Sequence, residues 1–270
     1  MGAFDKFDLT GKSAVVTGGG TGIGYNIARA LVTSGANVLI CSRREDVLKD
    51  SVEKLNSDPD AKGEVSYKVF DLSDRTLIDE LANHAIETFG GVDIFVGNAG
   101  QDLLGPIDTI SDEVVDMSMQ VNFSSNVALF RKFLPYMRQR KWGRVILSSS
   151  SASMACPCAE GMSAYAASKG AMNAYTRAAA AETGHDNITV NSLLLGVFMT
   201  KMLADVVAQV GEEFVRGYKE MTSLGRLAEC EEVEGLIQLL ASDAGSYITG
   251  ACLAIDGGLT AMLKPNPISN

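Results

Sequence analysis

Tyr165 and Lys169 stand four residues apart in the stretch Ser163-Ala164-Tyr165-Ala166-Ala167-Ser168-Lys169. The alanines, continued by Gly170-Ala171-Met172-Asn173-Ala174-Tyr175, predict a helix, and on a helix residues i and i+4 share a face. A phenol beside an ammonium makes a usable acid or base: tyrosine holds its proton to about pH 10, and a neighbouring cation favours the phenolate. The same pair also arises by chance in ordinary helices. The elements around it decide what it means.

Ser13-Ala14-Val15-Val16-Thr17 is a short apolar run that ends in Gly18-Gly19-Gly20-Thr21-Gly22-Ile23-Gly24, after which Ile23, Ile27, Ala30 and Leu31 recur at helical spacing. Strand, glycine turn and helix in that order bring backbone N–H groups and the positive end of a helix dipole up to a pyrophosphate. Glycines 18, 22 and 24 follow Gly-x-x-x-Gly-x-Gly, and no frame here fits Gly-x-Gly-x-x-Gly. Thr17, Gly18, Thr21, Gly22, Ile23 and Gly24 are therefore candidate dinucleotide-binding residues. The next strand, 37–41, runs into Ser42-Arg43-Arg44 with no acid before Glu45 to hold a ribose. An arginine in this place accommodates a 2′-phosphate. Ser42, Arg43 and Arg44 point to NADP(H) rather than NAD(H), the alternative being a solvated helix start.

A third strand, 65–70, leads to Asp71-Leu72-Ser73, where Asp71 either meets an adenine amino group or caps a helix starting near Ser73. The fourth, 92–96, exits through Gly97-Asn98-Ala99-Gly100, with Asn98, Ala99 and Gly100 expected close to the cofactor. One long helix from Ser111 to about Arg140 carries Asn122 near its middle. Arg131, Lys132, Arg138, Arg140, Lys141 and Arg144 follow without an acid among them. They read as a solvated helix terminus complementing the dipole, the alternative being a docking patch for an acidic carrier protein. The fifth strand, 144–148, enters the serine cluster 149–153, read as a turn on the way to Tyr165. Cys156-Pro157-Cys158 lies beyond it, and His84 and His185 are poorly placed to complete a metal site, so none is expected. The sixth strand, 188–193, is followed by an apolar stretch, 196–226, long enough for a substrate lid. A helix near 231–242, a strand at 251–255, Asp256-Gly257-Gly258 and an irregular tail from about 261 close the chain.

This alternation predicts an α/β, Rossmann-type doubly wound fold: a parallel sheet covered on both faces, with ligands at the carboxyl ends of its strands. At 270 residues and 46% hydrophobic, one domain spanning 1–270 is expected. The 23 Lys+Arg against 33 Asp+Glu leave a net charge of -10, which opposes nucleic acid and anionic membrane. The expected partner is a small molecule. Five cysteines without framework spacing read as free thiols in a reducing compartment. No leader pattern and no apolar stretch of about 18 residues is visible, so a soluble cytoplasmic protein is expected.

With Thr17 to Gly24, Asn98-Ala99-Gly100, Asn122, the serine cluster, Tyr165 with Lys169, and Asp256-Gly257-Gly258 in this order over roughly residues 8 to 260, the chain resembles the short-chain dehydrogenase/reductase family. Leu224-Gly225-Arg226-Leu227-Ala228 and Ser246-Tyr247-Ile248-Thr249-Gly250 make it most similar to members of the 3-oxoacyl-carrier-protein reductase and gluconate 5-dehydrogenase kind. The resemblance implies a seven-stranded parallel sheet, a homotetramer (or homodimer), and an Asn122-Ser150-Tyr165-Lys169 set. Tyr165 would protonate a carbonyl oxygen, or act as base in the oxidative direction. Lys169 would lower its pKa and hold the nicotinamide ribose. Ser150 would bond the reacting oxygen, Asn122 would position a water in a proton relay reaching Lys169, and Thr200, shortly after Gly196, would meet the nicotinamide carboxamide.

Three departures stand out. The separation of Ser150 from Tyr165 is two residues longer than the commonest one, which keeps Ser149 and Ser151 as alternatives. Leu195 replaces the usual proline before Gly196, and Thr21 stands where some NADP-preferring members carry a basic residue. The functional expectation is an NADP(H)-dependent oxidoreductase acting on a carbonyl or secondary alcohol. A non-catalytic dinucleotide-binding regulatory protein is the alternative, and an NAD(H)-retaining epimerase or dehydratase is disfavoured by the glycine spacing and Arg43. Acyl-carrier thioesters, sugar acids, steroids and hydrophobic ketones all remain open as substrates. Met154, Cys156, Cys158, Met162, Met199 and Met202 read either as an adaptable apolar pocket or as core filler.

Overall fold

A computed structural model describes residues 2–155 and 161–261 of the chain. The Cys156-Pro157-Cys158 segment and the tail beyond residue 261 lie outside them. The apolar runs rich in Val, Ile and Leu form seven strands: β1 (Ser13–Thr17), β2 (Asn37–Ser42), β3 (Val65–Val69), β4 (Ile94–Gly97), β5 (Gly143–Ser150), β6 (Ile188–Leu195) and β7 (Cys252–Ile255). All pair in parallel, in the order β3-β2-β1-β4-β5-β6-β7. This is the doubly wound seven-stranded sheet expected. The winding direction changes between β1 and β4, and that point opens a crevice at the carboxyl ends.

Period-two alternation sends successive side chains to opposite faces. Ala14, Val16, Ile40, Val96, Ile146 and Leu193 enter one core, beneath α1 (Gly22–Thr33), α2 (Glu45–Asn56) and α9 (Glu234–Ala241). Val15, Leu39, Phe95, Val145, Leu147 and Val190 enter the other, beneath α3 (Ile78–Phe89), α5 (Ser125–Arg140) and α6 (Ser163–Thr183). Both faces are covered, so β1, β2 and β4 are apolar on both sides over most of their length, as buried parallel strands require. No helix among the described residues is long and apolar enough to cross a membrane.

Three expectations need correction. Ser149 and Ser150 belong to β5 rather than to a turn, because Leu194 and Leu195 of β6 continue the ladder beside them. The long helix is α4 (Asp112–Met119), a π turn (Gln120–Ser124) and α5 in continuous succession, with Asn122 inside the π turn. The basic run is a solvated helix end only in part: Arg138 and Arg140 stand exposed in the last turn of α5 and Lys141 follows them, but ion pairs and one buried member complete it. Arg144 is 0% exposed, stacks on Trp142 at 4.3 Å and pairs with Asp243 at 3.0 Å. Lys132 meets Asp79, Arg140 meets Asp93, and Arg138 and Lys141 share Asp186. The acids come from elements distant in sequence, which is why the run looked unopposed. The 196–226 stretch folds as α7 (Lys201–Val210) and α8 (Glu213–Glu220).

Candidate active site

β1 ends in the glycine turn, whose Gly18 N–H donates to the Cys41 carbonyl of β2 at 2.7 Å. Gly24 lies so close beneath that a Cβ there would stand 2.0 Å from the Gly18 carbonyl oxygen. Buried Thr17 accepts at Oγ1 from the Asn98 and Ala99 N–H groups, each at 3.0 Å. Asn98 in turn donates to the Thr17 carbonyl at 3.2 Å and accepts from Ser148 Oγ at 3.1 Å. The exits of β1, β4 and β5 are thus stitched together. Exposed Thr21 precedes α1 without a side-chain capping bond, and the first-turn N–H groups of a helix have no partner within it. The Ile23 and Gly22 end of α1 therefore meets the conditions for an anion site. Thr200 comes against it: a Cβ built on Gly22 would lie 3.3 Å from Thr200 Cγ2. Thr200 Oγ1 accepts from Leu203 N–H at 3.2 Å and so caps α7.

At the end of β2, Ser42 is half-buried and Arg43 and Arg44 are exposed, with no ion-pair partner among the described residues. Asp71 does not cap a helix: it accepts from Ser73 N–H and Oγ at 2.9 and 2.8 Å, while Asp74 caps the following turn by accepting from Thr76 N–H. Leu72 is buried and its carbonyl accepts from Gln120 at 3.3 Å. Leu195 explains the missing proline. It sits in the ladder between Ser150 and Ile255, and Gly196 N–H donates to the Ile255 carbonyl at 2.9 Å.

α6 presents Tyr165 in its first turn and buries Lys169, which is 4% exposed. Lys169 Nζ donates to the Ser148 carbonyl at 2.7 Å and lies 5.7 Å from the centre of the Tyr165 ring. Ser150, at the end of β5, accepts from Ala152 N–H at 3.2 Å. Ser149 instead donates to the Lys169 carbonyl at 3.1 Å, and Ser151 is buried in the short turn that follows. Asn122, fully buried, accepts at Oδ1 from Gln101 N–H at 2.8 Å and donates through Nδ2 to the Gln101 carbonyl and Ser168 Oγ, each at 3.0 Å. Its side chain holds the β4 exit. Gly100 is squeezed into the same corner: a Cβ there would lie 3.1 Å from both Lys169 Nζ and Asn122 Oδ1.

Residues 18–260 match the family model described as enoyl-(acyl carrier protein) reductase. A protein of Aspergillus oryzae that bears the name short chain dehydrogenase/reductase is 33% identical over 256 residues, covering 94% of this chain and 97% of that one. The chain belongs to the short-chain dehydrogenase/reductase family. Gluconate 5-dehydrogenase of Gluconobacter oxydans is also 33% identical, over 96% of this chain and 98% of its own. Among solved structures, a 3-oxoacyl (acyl-carrier-protein) reductase from Agrobacterium tumefaciens with NADP bound superposes with a TM-score of 0.88 at 29% identity, covering 95% of this chain and 97% of that chain.

The electrostatics of this short-chain dehydrogenase/reductase correct one expectation. The Tyr165 phenol is raised above its ordinary range, first by burial and then by the Asp102 carboxylate, while the Ser150 hydrogen bond pulls the other way. The net direction is opposite to the lowering expected of Tyr165. Burial brings Lys169 itself down to about 8, against the pull of Asp102. Asp102 is the residue that reading the sequence missed. Its only signal was an acid two positions after Gly100, in a segment already expected to border the cofactor. No group of three or more His, Cys, Asp or Glu that could hold a metal occurs among the described residues.

Proposed function

We propose that this oxidoreductase is NADP(H)-dependent and moves a hydride between the nicotinamide and a carbonyl or secondary alcohol, with Tyr165 as the acid–base group. The observation that carries this is Lys169, buried 5.7 Å from the Tyr165 ring and bonded to the Ser148 carbonyl of the strand that ends in Ser150, at the strand ends where the glycine turn also lies. The cradle fits the cofactor. Gly18, Thr21, Gly22, Ile23 and Gly24 would receive its pyrophosphate, Ser42, Arg43 and Arg44 its 2′-phosphate, and Asp71 and Leu72 its adenine. Asn98, Ala99, Gly100, Lys169, Gly196 and Thr200 would border the nicotinamide half. Unpaired arginines favour the phosphorylated dinucleotide, and NADP in the solved Agrobacterium relative supports the same reading.

When bound, the reduced cofactor supplies the hydride. Tyr165, with its proton held firmly, is the acid that gives it to the carbonyl oxygen. Ser150 Oγ accepts from Ala152 N–H, which leaves its own proton for the oxygen on which negative charge develops. Lys169, brought to about 8, exchanges protons near neutral pH and so restores Tyr165. We assign both functions to one unit over residues 1–270, with α7 and α8 as its lid, assembled as a homotetramer or homodimer.

NADPH oxidation over a panel of carbonyl compounds tests the reading. Tyr165→Phe should abolish turnover of any accepted substrate, and undiminished turnover would remove the mechanism.

A further inference from the structure

The face of α6 that carries Tyr165 and Lys169 continues one turn further to Asn173, four residues on. Asn173 is 4% exposed and stands between two hydroxyls. Its Oδ1 accepts from Ser192 Oγ of β6 at 3.1 Å, and its Nδ2 donates to Ser153 Oγ at 2.7 Å. Ser153 Oγ in turn donates to the Ser150 carbonyl at 2.5 Å. Three hydrogen bonds, all pointing one way, thus run from β6 through α6 to the last residue of β5. Only a side chain with both a donor and an acceptor fits the middle of that chain, because Ser153 gives its proton to Ser150 and must accept at position 173. A second tie lies one turn back, where Ser149 Oγ donates to the Lys169 carbonyl at 3.1 Å. The side chain of Ser150 is held at the same place, since its Oγ accepts from Ala152 N–H at 3.2 Å.

We propose that Asn173 is a positioning residue, which through Ser153 fixes the end of β5 and so aims the Ser150 hydroxyl at the oxygen that Tyr165 protonates. The inference rests on the reductase reading above, in which Ser150 is the hydroxyl at the reacting oxygen, and adds a residue that acts on the reaction only through another. Tyr165 and Asn173 belong to one helix, about two turns apart. The acid and the anchor of its partner hydroxyl therefore move together. Ser153 closes the short turn after β5, and the connection to α6 starts beyond it. A connection longer than usual can follow such an anchor without displacing Ser150.

Ser153→Ala and Asn173→Leu should each lower kcat for an accepted ketone by about tenfold or more and leave the KM for NADPH unchanged. In a Ser150→Ala background the same substitutions should lower kcat no further, because the hydroxyl they aim is gone. Losses that simply add would overturn the proposal. A second measurement needs no turnover: exchange of the Ala152 amide, followed by NMR in the full chain without substrate. That amide reports the placement of Ser150 Oγ directly, and S153A and N173L should each speed its exchange about tenfold, towards the rate in S150A. Unchanged protection in either variant would overturn the proposal and leave the reductase reading standing, since Tyr165→Phe tests that reading on its own. If the unsubstituted chain reduces no carbonyl, the reductase reading falls, and the exchange rates alone decide whether Asn173 places Ser150.

Discussion

Lys169 Nζ donates to the carbonyl of Ser148 at 2.7 Å, which moors the cation of α6 to the strand that ends in Ser150. The bond fixes where the positive charge sits, and burial fixes what it costs. A lysine brought to about 8 in the folded chain and left near 10.5 when unfolded carries fewer protons folded than unfolded between those values. Stability therefore rises with pH across that window and is lowest below it. Urea unfolding at pH 7.5 and 9.5 should show this gain, about 2 kcal/mol, in the unsubstituted chain and not in Lys169→Met.

Asn122 satisfies both backbone groups of Gln101 and the Ser168 hydroxyl at once. Asn122→Ala removes these bonds together. The expected cost is about 2 kcal/mol in urea unfolding, with turnover lowered by about a hundredfold as the β4 exit drifts from Tyr165.

Arg43 stands exposed at the end of β2. If it receives the 2′-phosphate, Arg43→Ala raises the apparent KM for NADPH by about tenfold or more and leaves that for NADH nearly unchanged. Equal effects on the two cofactors in steady-state kinetics would take Arg43 out of the phosphate site.

Arg144 is anchored by the carbonyls of Gly143, Asn187 and Ser242 and by Asp243, with its guanidinium over Trp142. Arg144→Ala removes the side-chain partner of the buried Gly143 and Ser242 carbonyls and should cost about 3–5 kcal/mol in chemical denaturation. It lies at the amino end of β5, so the KM for substrate in the surviving folded fraction should not move.

The strands and the sheet were legible because a parallel strand covered on both faces reads as an unbroken Val/Ile/Leu run, as in Val15, Val16 and Leu39, Ile40. The glycine turn and the Tyr165–Lys169 spacing were legible because each is local. What escaped notice depends on distant chain. The acids opposing Arg138, Arg140 and Arg144 come from Asp186, Asp93 and Asp243. The π turn has no period of its own in the sequence. Asp102 is a lone acid in a loop, and only the fold lets its charge act on Tyr165 and Lys169. The direction of the Tyr165 shift escaped for a related reason: helical spacing sets which face a side chain occupies, and burial, which the whole fold decides, dominates its ionisation.

The π turn at Gln120–Ser124 holds one residue more than an α turn needs. Deleting a single residue there would return the segment to α geometry and shift Asn122 from the place where it holds Gln101. α5 shares in setting that place: Asn126 Nδ2 donates to the Asn122 carbonyl at 3.0 Å and Ser125 Oγ to the Val121 carbonyl at 2.8 Å. The wide turn and the first turn of α5 aim the clamp together.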